Sequence, residues 1–443
     1  MEFRSIATGL TVGLLCTGSV FAQALPEAEA ESVGMSSERL DRIGAVFQAE
    51  IDDGKLPGVV IMVARDGKLV YSEALGAMDP ARDTPMSEDA IFRIYSMTKP
   101  LVSVAAMVLM EEGKLELTDP VSKFLTDFAD QSVSKVSVGT YGGASYEDVP
   151  AGAEMTVQDL LRHTSGLAYG ELTQNPEVKD GYAAAGVYNP DGLAFDARGM
   201  SPEDQIAALA DVPLVHQPGT VWEYSLASDV LGRVIEAASG MRLSDFLDQR
   251  VLGPLNMDDT GFHVPENAMP RLAQPFEIDP ASGAPLPMID VSTRPANDSG
   301  GAGAVASAGD YLRFSEMLLE GGALDGARVL SPTSVRLMAS DHLGDRIETP
   351  VEPGELLMGV PGYTFGLGFM VREENGIAGV PGSAGEFMWA GYGGTFFWVD
   401  PAEDLVAVLM SQRAGPSRAY YRKLIKQLVY QAITDPVPSS MVH

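Results

Sequence analysis

Apolar residues recur along this chain with two different periods, and the places where the period changes outline an architecture. Near the start, Leu40, Ile43 and Phe47 share one face of a 3.6-residue repeat opened by Ser36, which predicts an amphipathic helix. The apolar run Val59-Val60-Ile61-Met62-Val63 then reaches a turn at Asp66-Gly67 and returns as Leu69-Val70-Tyr71, the pattern of a β-hairpin. Leu101 to Met110 is apolar nearly all round, so it predicts a helix buried on every side. From Ser96 to about Met338, helical segments are separated by long Gly/Pro/Asn loops. Short aromatic or β-branched runs then predict strands at Tyr363 to Val371, Glu386 to Ala390, Thr395 to Val399 and Leu405 to Met410. A last helix is expected from about Arg418 to Thr434.

Strands at both ends with helices between predict an α+β fold: one antiparallel sheet flanked by helices and assembled from both termini. On this reading residues 25–95 and 339–443 form a discontinuous α/β domain. Residues 96–338 form an inserted, mainly helical domain, with the site at the interface. Leu25 to Val33 reads as an acidic linker, and 128–156 and 170–201 as two loops of unusual length, candidates for lids.

Composition adds a compartment and removes several chemistries. Arg4, the apolar run Ile6 to Leu15 and Ala22-Gln23-Ala24 form the pattern of a cleavable signal peptide over residues 1–24, which predicts a periplasmic or secreted protein without a stable membrane anchor. Cys16 is the only cysteine, so the mature chain is expected to have no cysteine nucleophile, thiolate metal site or disulfide. The formal charge of −31 disfavours nucleic acid and anionic membranes as partners. The five histidines (163, 216, 263, 342 and 443) show no metal-binding spacing, and neither a metal nor a cofactor is expected. No Gly-x-Ser-x-Gly elbow follows a strand. Gly301-Ala302-Gly303-Ala304-Val305-Ala306 spells a dinucleotide fingerprint but follows no buried strand, so it reads as a turn lining the site.

The candidate chemistry begins at Ser96-Met97-Thr98-Lys99, at the mouth of the apolar helix. Three residues apart on a helix, Ser96 and Lys99 lie one above the other, within reach for proton transfer. Pro100 suits only a first turn, which places Ser96 at the helix entrance, where free N–H groups favour an anion. Ser132-Val133-Ser134-Lys135 has the same spelling but no helical period, and is set aside. Tyr224, in Trp222-Glu223-Tyr224-Ser225-Leu226 ahead of an amphipathic helix, is a candidate general base beside Lys99. Phe387-Met388-Trp389-Ala390-Gly391-Tyr392-Gly393-Gly394 joins two expected strands. Its small residues would let a substrate approach the backbone, and an N–H there could complete an oxyanion hole with that of Ser96.

Taken in order, these segments resemble the serine β-lactamase and penicillin-recognising superfamily, and within it the class C-like esterase branch known as family VIII carboxylesterases. Ser96-x-x-Lys99 is similar to the first family motif, Tyr224-Ser225-Leu226 to the second, and Trp389-Ala390-Gly391 to the third. His163-Thr164-Ser165-Gly166-Leu167, Leu252-Gly253-Pro254-Leu255-Asn256-Met257 and Gly300-Gly301-Ala302-Gly303 add to the likeness, which spans roughly Ser36 to Thr434. Lactam-handling members usually carry Asn where Leu226 stands and Lys-Thr-Gly where Trp389-Ala390-Gly391 stands. Both replacements are expected to make the cleft more apolar, favouring a neutral ester over an anionic antibiotic. Ala390 also departs from the usual Trp-Gly-Gly of the esterase branch.

The resemblance implies a β-lactamase/transpeptidase-like fold and acyl transfer through Ser96. Lys99 and Tyr224 would take its proton, the backbone N–H groups of Ser96 and Tyr392 would hold the oxyanion, and Trp389, Ala390, Gly391 and Tyr169 would bind substrate. The expected activity is a serine carboxylesterase acting on small, neutral, short-chain esters. Alternatives are a β-lactamase, a D-amino-acid peptidase, an amide-oligomer hydrolase, a transesterase, or a peptidoglycan-fragment binder without turnover.

Overall fold

The computed structural model describes residues 25–138, 143–190, 192–193 and 196–436. The signal-peptide reading of residues 1–24 therefore lies outside the described residues. Among those described, no helix is long and apolar enough to cross a membrane.

An eight-stranded antiparallel sheet organises the chain, in the order 363–365, 370–372, 387–390, 396–400, 405–411, 58–65, 68–79, 84–85. The join between the termini is the pairing of Gly58–Arg65 with Leu405–Ser411, in register from Val59 opposite Ser411 to Arg65 opposite Leu405. Every residue of these two strands is buried, so both faces of the sheet are covered, which explains their unbroken apolar runs. Neighbouring residues of one strand show what covers each face, because successive side chains point oppositely. Trp398 stacks on Tyr430 of the C-terminal helix Arg418–Tyr430, whereas Phe397 meets Tyr311 of helix Ala308–Leu319. Helix Ser37–Asp52, capped by the Ser36 hydroxyl accepting from the Arg39 N–H, buries Leu40, Ile43 and Phe47 and packs on strand 68–79 and the C-terminal helix.

Helix Thr98–Glu111 is buried along almost its whole length and packs against helix Ala227–Ser239. Helix Ala308–Leu319, which the sequence reading groups with the helical insert, lies against the sheet instead. Four other expectations change. Tyr363 to Val371 is not one strand but two, Tyr363–Phe365 and Met370–Arg372, because the chain reverses at Gly366–Phe369, with Gly368 at φ +89° against Ser103. The 128–156 stretch contains a two-stranded hairpin, Ser132–Val138 with Ala144–Pro150, and 170–201 contains a helix, Pro176–Ala184, capped by Asn175. The supposed linker is ordered: Leu25 and Ala30 are buried, and Ala28 donates to the Leu69 carbonyl. On the hairpin, residues three apart face opposite sides, so Ser132 and Lys135 cannot act together.

Two buried charge arrangements stand out. On the face under the C-terminal helix, the Glu386 carboxylate accepts from Arg372 Nε (2.7 Å), Lys426 Nζ (2.6 Å) and Tyr430 Oη (2.9 Å), with Glu386, Arg372 and Lys426 side chains sealed from solvent. In helix Ala308–Leu319, both carboxylate oxygens of Glu316 are buried without a hydrogen-bond partner among the described residues. Burial first, then the charges of Glu320, Asp404 and Asp66, push its pKa from 4.5 up to about 8. Between those values the unfolded chain has released a proton that the folded one keeps, so stability falls as pH rises across this window. Glu316→Gln is therefore expected to leave stability nearly unchanged at pH 4 and to raise it by ~1–3 kcal/mol at pH 8.5. Urea denaturation at the two pH values checks this; an equal effect at both would refute it.

Candidate active site

The turn that carries Ser96 is tight and strained. Ser96 sits in a single 3-10 turn, Tyr95–Met97, immediately before helix Thr98–Glu111. Tyr95 has φ +45°, a left-handed conformation that costs a non-glycine residue about 1 kcal/mol or more. Its ring is fully buried, its hydroxyl accepts from the Ile289 N–H (3.1 Å), and it meets Tyr392 edge-on at 5.4 Å, so packing holds the strained residue in place.

Lys99, one turn on and 1% exposed, has its Nζ 3.5 Å from Ser96 Oγ, 3.0 Å from Tyr169 Oη and 2.8 Å from the Gly301 carbonyl. Tyr224 arrives from the loop before helix Ala227–Ser239 and donates its hydroxyl proton to Ser96 Oγ at 2.7 Å. Lys99 also lies over the Tyr224 ring, 4.6 Å from its centroid. Ser96, Lys99 and Tyr224 are thus one hydrogen-bonded unit, with Tyr169 on the far side of the lysine. Burial, reinforced by Tyr224 and Asp229, drives the Tyr169 phenol well above its ordinary pKa, so Tyr169 stays protonated. Tyr169 therefore does more than wall a pocket: it fixes Lys99.

The glycine-rich turn lines the site as expected. Gly301 supplies the carbonyl that Lys99 grips, and Asp229 steadies the turn by accepting from Ser299 Oγ at 2.6 Å. His163 is buried, its pKa lowered first by burial and then by Lys99; its Nδ1 lies 3.1 Å from Ser225 Oγ. It packs edge-on against the Tyr224 ring and orients the tyrosine rather than reaching Ser96.

A cavity of about 450 Å³ opens at Ser96 and is walled by Tyr169, Tyr224, Trp389, Ala390, Gly391 and Tyr392, so every sequence-predicted site residue but the buried Lys99 reaches it. Trp389 packs on Tyr224 (5.4 Å between centroids) and Phe365 (5.3 Å). Leu226 does not line the cavity: it is 2% exposed in the core where helix Ala227–Ser239 begins. Of the two replacements expected to make the cleft more apolar, only the one at Trp389 acts there directly. The missing side chain of Gly391 also has a different reason from the one expected, since a Cβ there would collide with the Ile94 carbonyl and Thr395.

Among the wall residues that escaped the sequence reading are two arginines. Arg422 Nη2 donates to the Gly391 carbonyl (3.1 Å) and Arg418 Nη1 to the Tyr392 carbonyl (3.3 Å), holding that backbone against Ser96. Both lie on the last helix, whose period speaks of packing and gives no sign that its first turns face a cavity.

The match to the family described as Beta-lactamase extends over residues 43–430. Protein Rv1367c of Mycobacterium tuberculosis is 37% identical over 382 residues, covering 84% of this chain and 90% of that protein. Esterase EstB of Burkholderia gladioli is 32% identical over 393 residues, covering 84% of this chain and 90% of the esterase. The fold also superposes on EstCE1, a hydrolase with promiscuous acyltransferase activity, with a TM-score of 0.73 and 28% identity over 89% of this chain and 99% of that one. The chain belongs to the beta-lactamase family, in the branch that contains esterases.

Proposed function

We propose that this protein is a serine hydrolase that cleaves neutral carboxylic esters, small short-chain ones among them, through an acyl-enzyme on Ser96. The observation that carries the reading is the contact of Ser96 Oγ with Tyr224 Oη at 2.7 Å and Lys99 Nζ at 3.5 Å, at the mouth of an aromatic cavity. Ser96 Oγ attacks the ester carbonyl while its proton passes to the Lys99–Tyr224 pair, which reacts in the form that lacks one proton, with Lys99 as the free amine or Tyr224 as the phenolate. The backbone N–H groups of Ser96 and Tyr392 hold the oxygen that becomes negative. The carbon–alkoxy bond then breaks, and the alcohol leaves with the proton from the pair. Water attacks the acyl-enzyme by the reverse route, releasing the acid and restoring the serine hydroxyl. The esterase EstB and the hydrolase EstCE1 support this reaction class by their similarity.

One observation favours a second reading, a lactam-directed enzyme: Arg418 and Arg422 line the cavity and could meet a substrate carboxylate. Both, however, already donate to main-chain carbonyls. Side-by-side turnover of p-nitrophenyl butyrate and a chromogenic cephalosporin separates the two. The expected result is ester cleavage with a kcat/KM at least about a hundredfold higher, the discrimination a site reaches when one substrate leaves a buried charge unpaired. Preferential lactam cleavage would overturn the ester reading.

A further inference from the structure

Beside the Ser96 cavity lies a second one, of about 530 Å³, that shares Leu172, Tyr224 and Leu356 with it. Four of the eight large apolar side chains exposed among the described residues sit on its walls: Val136 (49%), Leu172 (41%), Val351 (51%) and Leu356 (36%). Scattered exposed apolar residues need no explanation, but four gathered on one groove do. They come from three separate parts of the chain: the 132–150 hairpin, the segment before helix Pro176–Ala184, and the stretch around 351–356. The buried Trp222 contributes to the lining.

Several polar groups of the groove are held by partners within the protein, while Trp222 Nε1 is buried without a hydrogen-bond partner among the described residues. His216 Nε2 meets Glu223 Oε2 at 2.8 Å, Asn175 Oδ1 caps its helix by accepting from Glu177 and Val178, and Thr173 Oγ1 accepts from the Asn175 N–H. What the groove offers is apolar surface, and it begins at Tyr224, the side chain bonded to Ser96.

We infer that this groove receives an extended apolar substituent of the ester, continuing from the carbonyl at Ser96 past Leu172 and Leu356. The inference rests on the esterase reading and enlarges it. Short esters fill only the first cavity, whereas esters with a long alkyl chain gain the second as well. A protein partner is the less suited occupant, because the groove is continuous with the reacting serine. Each methylene buried there should raise kcat/KM about threefold to fourfold until the groove is filled.

The test compares p-nitrophenyl butyrate with p-nitrophenyl decanoate and ethyl butyrate with decyl butyrate, extending the acyl and the alcohol side in turn. Wild type and Val136→Asp/Val351→Asp are assayed together; both positions are exposed and belong to the second cavity alone. The expected result is a kcat/KM at least tenfold above that of p-nitrophenyl butyrate for p-nitrophenyl decanoate, or above that of ethyl butyrate for decyl butyrate. In the double variant that gain is lost, with p-nitrophenyl butyrate turnover unchanged. Equal rates for short and long esters, or a gain that survives the double variant, would overturn the inference. Absence of any turnover would overturn the esterase reading and leave the groove to a second measurement. Ser96→Ala is titrated with decyl butyrate below its aggregation threshold while tryptophan fluorescence, to which Trp222 contributes, is followed. A saturable change lost in Val136→Asp/Val351→Asp supports the groove, and no change refutes it.

Discussion

Ser96→Ala is expected to lower kcat for p-nitrophenyl butyrate by about 10⁴-fold or more, leaving the thermal transition of the protein where it was. The size of the effect follows from the unit that Ser96 belongs to. Without Oγ no covalent intermediate forms, and neither Lys99 nor Tyr224 has a proton to receive. Lys99→Met and Tyr224→Phe should each cost about 10²–10⁴-fold, the ordinary range for a positioned acid or base. Combined with Ser96→Ala they should add little, because residues acting as one unit lose their function together. Ser132→Ala should leave turnover unchanged, since its strand points Lys135 to the opposite face. Two readouts check these expectations: steady-state rates, and the mass increase from a fluorophosphonate that labels a reactive serine. More than about one per cent of wild-type activity in Ser96→Ala, or label on Ser132, would mean that the nucleophile lies elsewhere.

The largest effect on stability is expected far from that serine. Glu386→Gln removes the only carboxylate hydrogen-bonded to either of two fully buried cations, Arg372 and Lys426, among the described residues. Breaking one side of such an arrangement costs about 3–5 kcal/mol, because a buried charge is left without compensation. Chemical denaturation of Glu386→Gln measures that loss. Adding Lys426→Met should recover part of it by removing one of the stranded charges, whereas two independent losses would add. A Glu386→Gln protein within about 1 kcal/mol of wild type would show that the charges relax or reach water.

How much of this was visible beforehand depended on whether the signal was local. Ser96, Lys99 and Tyr224 were legible because a catalytic unit needs particular side chains beside particular helix starts, and short segments encode that directly. The main sheet strands were legible because burial on both faces leaves unbroken apolar runs, as in Leu405–Ser411. The 132–150 hairpin was not, because among the described side chains of its two strands only Val133 and Ser134 are buried, so no periodic core face is written into it. The motif likeness points to Tyr169 as a wall but not as the partner of Lys99, a contact spanning seventy positions in sequence. The inward turn of Leu226 and the grip of Arg418 and Arg422 on the Tyr392 loop likewise depend on tertiary contacts that no short pattern carries.

The pairing of Val59 with Ser411 also sets an order of events during synthesis. The N-terminal hairpin emerges from the ribosome early, yet strand 58–65 gains its second neighbour only when residue 411 has been made. Until then it presents an unpaired apolar edge, the kind of surface that aggregates or recruits a chaperone. Contacts this distant along the chain also make folding slow. Gly34 and Thr434 nevertheless end up touching, the Thr434 N–H donating to the Gly34 carbonyl at 2.9 Å. A chain rejoined there and opened in a surface loop of the central region would make both halves of the sheet consecutively, so the long wait belongs to the order of the gene and not to the fold.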